Sequence, residues 1–117
     1  MTNIADKQAA MRDKIAVLAD RFLQRCANDM ASGRDLLEQL KRGDAGAYKD
    51  VEHLAHRIVG TGSSLGFQSL SAKAVTVERF AEAQLSTGTA DPEAIAHLGD
   101  SLAQLELEID LLVRARR

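Results

Sequence analysis

The side chain best equipped for chemistry in this chain is His56, in the stretch HLAHRIVGTGSSLG of residues 53–66. A neutral imidazole offers a lone pair for nucleophilic attack or metal binding, while its other nitrogen is a donor that a carboxylate can hold. The neighbouring residues bear on which of these applies. Val51, Leu54, Ala55, Ile58 and Leu65 recur at three- and four-residue steps, which predicts an amphipathic helix with one stripe facing a core. At about 100° per residue His56 points away from that stripe, with Gly60 one turn further on and Ser63 beyond it. A helical Gly costs up to about 1 kcal/mol relative to Ala, yet Gly60 and Gly62 both sit just past the histidine. Small residues there would leave the ring open to another protein's surface. A solvated histidine with incidental glycines fits the same geometry.

The segment Ala55 to Gly66, AHRIVGTGSSLG, resembles the signature of histidine-containing phosphotransfer domains. That signature is a helix with Ala-His, an aliphatic residue two later, a Lys or Arg, a Gly, small residues, then an apolar residue and Gly. The match is specific across these twelve positions and weaker but consistent from about Phe22 to Glu82. The resemblance implies an all-α domain whose His56 carries a phosphoryl group. One position departs from it. The basic residue that the family has three after the histidine, beside the phosphoryl group, is Val59 here.

A count along the chain gives an independent expectation for the ring's partner. If the helices either side of Gly66-Phe67 pack antiparallel about residue 67, Glu78 lies as far past the turn as His56 lies before it. Both are then about 16 Å from the turn at 1.5 Å per residue. A carboxylate accepting from Nδ1–H would fix the tautomer and leave Nε2 as the nucleophile. The resemblance supports that role, since the family commonly has an acceptor at this spacing. The competing reading of Glu78 is a surface acid paired with Lys73 or another base. The remaining candidates for the binding surface are Gly60, Arg57, Ser63, Val59, Glu52 and Lys49. Glu52 is one turn before His56 and would repel a phosphoryl group if it lay close. Arg57 is about 100° round the helix and must bend back to replace the missing charge. Lys49, two turns away on nearly the same face, could attract an anionic partner.

The elements that must hold this site are helical. Hydrophobic content is 45% with 3% aromatic, so the core is built from Leu, Ala, Ile and Val, and strand signals are lacking. One domain spans residues 1–117, with its motif core at 54–66. The formal charge of −2 argues against a general nucleic-acid or anionic-membrane binder. Cys26 is the only cysteine, which excludes an intramolecular disulfide and reads as a small buried hydrophobe. The opening MTNIADKQAAMRDK has no apolar leader segment, and no run is long enough to span a bilayer, so a cytoplasmic protein is expected.

Met11, Ile15, Leu18 and Phe22 form a first stripe in a helix from about Ala5 to Met30. Ser32-Gly33 interrupts it, with Ser32 and Asp35 resembling a capping box. A short helix with Leu36, Leu37 and Leu40 stops at Arg42-Gly43, a basic last turn followed by a C′ glycine. These two segments are either one bent helix or two. Asp44 can cap the helix that carries His56. Ser69 or Ser71 can cap the next, which buries Leu70, Ala74, Val77, Ala81 and Leu85. Asp91-Pro92-Glu93 starts a last helix in which Ile95, Leu98, Leu102, Leu105, Ile109 and Leu112 step without a miss. That run fits a coiled-coil seam or the inside of a bundle, and its shortness favours the bundle. There is no repeat, no low-complexity tract and no interdomain linker. The expected architecture is an all-α, antiparallel, up-and-down four-helix bundle with an additional N-terminal helix.

Three functions of different classes fit these residues. In the first, which the resemblance favours, Nε2 of His56 relays a phosphoryl group between receiver-domain aspartates in two-component signalling. The partners are then a response-regulator receiver or a hybrid histidine kinase. A monomer with no cofactor of its own is expected, with Mg²⁺ on the receiver. The chain has no nucleotide-binding glycine loop followed by Lys, so it is not itself a kinase. In the second, a related domain docks on a receiver or kinase without carrying phosphate, and Val59 favours this reading. In the third, His53 and His56, with His97 or Glu78, hold a metal or haem. The second Glu-x-x-His element that di-metal bundles require is missing.

Overall fold

Each apolar stripe winds into an α-helix. The computed structural model describes residues 3–116 and has, among those residues, four helices and no strand. They are α1 (Ile4–Lys41), α2 (Ala47–Ser64), α3 (Gln68–Leu85) and α4 (Pro92–Ala115). Each helix touches the next in sequence and α4 returns to α1, so the four close a ring. Individual pairs give their directions. Asp29 meets Arg57, Gly62 approaches Ser71, Arg34 pairs with Glu106 and Asp20 with Arg116. Numbers rise on one helix as they fall on its neighbour, so this is an antiparallel up-and-down four-helix bundle.

The stripes of α2 and α4 face inward as their spacing requires. Tyr48, Val51, Ile58, Leu98, Leu105 and Ile109 are all at most 1% exposed, packed with Leu23, Cys26, Leu70 and Val77. Burying an aliphatic side chain of this size contributes about 1.5–3 kcal/mol, so the core supplies most of the drive to fold. Leu85 departs from the expectation, being 38% exposed in the last turn of α3. There the helix runs out past the core into the Ser86–Ala90 loop.

The largest difference lies in α1. The segments expected either side of Ser32-Gly33 are one continuous helix, and no separate additional N-terminal helix occurs among the described residues. Gly33 is buried where α1 meets α4, 3.6 Å from Leu102 when a Cβ is placed on it. Packing there outweighs the roughly 1 kcal/mol helix penalty of glycine. The first stripe also behaves differently from expectation. Met11, Ile15 and Leu18 are 58, 46 and 54% exposed, and only Phe22 of that set is buried. At 1.5 Å per residue α1 is about 57 Å long against about 27 Å for α2. Its first turns therefore project past the bundle, which measures 63 Å along its long axis.

The helix ends follow backbone geometry more than side-chain caps. Gly43 (φ 96°) and Gly66 (φ 86°) occupy the left-handed C′ position after α1 and α2. The cap of α2 is Gly46, and Asp44 instead accepts from Gly46 N–H at 3.1 Å, an Asx turn ahead of the helix. The cap of α3 is Phe67, so neither Ser69 nor Ser71 has that role. Asp91 caps α4 in position, with Pro92 at the first helical site, but makes no side-chain cap bond.

Candidate functional site

His56 stands in mid-α2, on the face opposite Leu54 and Ile58, with its side chain 72% exposed. Its Nδ1 lies 2.5 Å from Oε2 of Glu78 on α3, whose side chain is 17% exposed. The antiparallel count about residue 67 coincides with this contact, and Lys73 is not Glu78's partner. A carboxylate this close accepts from Nδ1–H, so Nε2 is left with its lone pair towards solvent. Glu78 is itself held by the α2–α3 packing, in which Ser71 Oγ donates to Val59 O at 3.3 Å.

The two glycines after the ring have different surroundings. A Cβ on Gly60 meets nothing within 4 Å. One on Gly62 would lie 2.5 Å from Ser71 Oγ and 3.2 Å from Leu70 Cδ2. Gly60 thus leaves the surface by the ring bare. Gly62 is buried and lets α3 approach, which corrects the expectation that both serve access.

On the α1 side of the ring runs an open cleft formed by His56, Arg57, Gly60 and Thr61 of α2 with Leu18 and Arg25 of α1. Arg57 Nη2 lies 3.9 Å from Asp29 Oδ1, close enough for charge attraction and too long for a good hydrogen bond. Burial pushes the Asp29 carboxyl above its ordinary range, against the pull of Arg57 and Arg25. These two guanidinium groups are the cations that share the cleft with the histidine. Sequence reasoning missed Leu18 and Arg25, since both come from the far helix.

The other candidates are spread along α2. Val59 is half-buried and packs against the core, on the side of α2 that faces α3. Ser63 and Lys49 are exposed, two turns after and two turns before His56 on nearly the same face. Glu52 lies 3.5 Å from His53 Nε2. His97 packs its ring on Phe80, with centroids 4.6 Å apart. Among the described residues no three His, Cys, Asp or Glu side chains converge to hold a metal ion. Among the same residues, no helix is long and apolar enough to cross a membrane.

The arrangement is a nucleophile on a rigid helix, held at one nitrogen by a carboxylate and open at the other. A family model described as the Hpt domain matches residues 17–112. No curated protein and no solved structure matches the chain.

Proposed function

The chain belongs to the Hpt domain family, and from that premise we propose that it relays a phosphoryl group on His56 between receiver-domain aspartates, in the cytoplasm. Participation in phosphotransfer of two-component systems is what the family implies. The observation that carries the specific reading is the exposed His56 ring with Nδ1 on Glu78 at 2.5 Å. In the reaction, the Nε2 lone pair forms a bond to phosphorus. The bond from phosphorus to the receiver's aspartyl oxygen breaks, and the aspartate leaves as a carboxylate. The imidazolium charge that develops faces the Glu78 carboxylate while Nδ1 keeps its proton. The receiver brings the Mg²⁺, because phosphoryl transfer needs mainly positioning and charge stabilisation. Reversal of the step on a second receiver returns the ring to its neutral form.

The test is incubation with a receiver labelled on its aspartate. Label should pass to the wild-type chain and be stable to alkali but labile to acid, while His56→Gln takes none and keeps its helicity. A mutant that labels as well as wild type would overturn the assignment. Val59 favours a second reading, in which the domain docks on a receiver or kinase without accepting phosphate. Receiver binding by the wild-type chain with no label uptake would select that reading.

A further inference from the structure

Laid out as one helix, α1 opens on a seven-residue period, IADKQAA, MRDKIAV and LADRFLQ over residues 4–24. It differs from the seven-residue run of α4 (Ile95, Leu102, Ile109 with Leu98, Leu105, Leu112) in that its apolar stripe is exposed. Ile4, Met11, Ile15 and Leu18 fall within about 60° of one another on it. All four are largely exposed, at 74, 58, 46 and 54%; Ile4 and Met11 project past the bundle end, while Leu18 also walls the His56 cleft. Lys7, Lys14 and Arg21 border this stripe on one side and Arg12 on the other, while Asp6, Asp13 and Asp20 lie on the opposite face. Most of this arm precedes the residues that match the family.

The other exposed apolar pair on a helix face is Leu107 and Leu111 of α4, 53 and 52% exposed. They sit at i, i+4 with Ala103 one turn before. Asp100, Glu108 and Asp110 surround them, with Arg114 at the far end. None of Lys7, Arg12, Lys14, Arg21, Asp100, Glu108 or Asp110 has an ion-pair partner among the described residues.

From this complementarity we propose that two copies of the chain associate, the basic-edged arm of each lying on the acidic-edged face of α4 of the other. The occupant of the arm is thus a second copy, in place of the monomer expected from the sequence. Self-pairing of two arms would set Lys and Arg against Lys and Arg in either orientation, since cations edge both sides of the stripe. A receiver docked on His56 would cover Leu18, which walls the same cleft, but not the stripe further out. His56 is level with Asp29, and Met11 lies about 27 Å further along α1. A domain of about 100 residues has a radius of gyration of only about 13 Å. Each arm-to-α4 contact is a single helix pair, and a two-fold axis supplies it twice, as isologous dimers do. That doubling moves the buried area towards the roughly 1,200 Å² of stable interfaces.

The test is sedimentation equilibrium of the full chain over a range of concentrations and salt. The mass should rise towards twice 12.7 kDa, less so at high salt. Met11→Glu and Leu107→Glu should each return it to the monomer mass with the helical spectrum unchanged. If either loses helicity, Met11→Gln and Leu107→Gln replace them. Charge exchange is the decisive arm. Lys7→Glu with Lys14→Glu should weaken association roughly tenfold, as should Glu108→Lys with Asp110→Lys, and all four together should restore it. A monomer at every concentration would overturn the proposal. So would a dimer indifferent to either face, a quadruple variant without rescue, or an arm that binds phosphatidylserine vesicles without self-association.

Discussion

Gly60 and Gly62 share one turn of α2, and alanine at the two positions should change stability in opposite directions. At Gly60 the added methyl meets nothing within 4 Å, so the helix gains up to about 1 kcal/mol in propensity. At Gly62 it meets Ser71 Oγ at 2.5 Å, in a packed contact between α2 and α3. Moving that serine also disturbs its bond to Val59 O. The overpacking costs about 1–3 kcal/mol, which exceeds the propensity gain. Urea denaturation of the two variants checks both signs. Cys26 gives a pH-dependent counterpart. It is fully buried, and desolvation chiefly, with Asp29 adding and Arg25 opposing, pushes its thiol from 9.0 up to about 12. A thiol whose folded pKa is raised contributes its full stability below the unfolded value. That contribution is lost as pH rises from about 9 towards 12. The fold should therefore weaken through this alkaline window, and less so in Cys26→Ala. In the native state near neutral pH the thiol should react with a disulfide reagent only as fast as the bundle opens.

The cleft beside His56 is made by two helices, and its cations come from the α1 side. Val59 faces the other way, half-buried towards α3. A lysine at 59 would have to run its stem along that seam to reach water. Val59→Lys is therefore expected to lower stability by about 1 kcal/mol and to move the phosphotransfer equilibrium towards this protein by several-fold at most. Arg25→Ala with Arg57→Ala should move that equilibrium the other way by more, since both guanidinium groups share the cleft with the ring. Quantified label exchange with one receiver measures all three proteins. An equilibrium untouched by the double change would show that neither arginine approaches the phosphoryl group. The sequence carried part of this geometry. The turn at Gly66-Phe67 was legible, and counting about it set Glu78 level with His56. The same count about Gly43 sets Asp29 against Arg57 and Arg25 near Thr61, but it needs an unbroken α1. Ser32-Gly33 reads locally as a helix boundary, and only the packing of α1 on α4, with Gly33 buried beside Leu102, shows that the helix runs through it. Local signals also misplaced the caps of α2 and α3, where Gly46 behind the Asx turn of Asp44, and Phe67, stand in place of the aspartate and serine caps.

At the scale of the whole molecule, the bundle and the projecting arm of α1 are energetically separate. Burial in α1 begins at Ala19, and the family match begins at residue 17. The apolar side chains before that point are largely exposed, although their spacing is that of a core stripe. Periodicity alone cannot distinguish a stripe buried by its own chain from one left free, which is why this one read as core. A chain starting near Ile15 should accordingly keep its unfolding free energy within about 0.5 kcal/mol and still take label on His56. A fall of several kcal/mol would mean that the arm packs on its own bundle. Hydrogen exchange then tests what holds the arm helical. Asn3 Oδ1 accepts from Asp6 N–H at 2.8 Å and caps it, yet an isolated helix shorter than about 12–15 residues is marginal in water. In dilute full-length protein the amides of residues 7–14 should exchange far faster than those of Phe22–Met30. If a second copy covers the stripe, their protection rises with protein concentration and vanishes in Met11→Glu, while that of the core amides does not move.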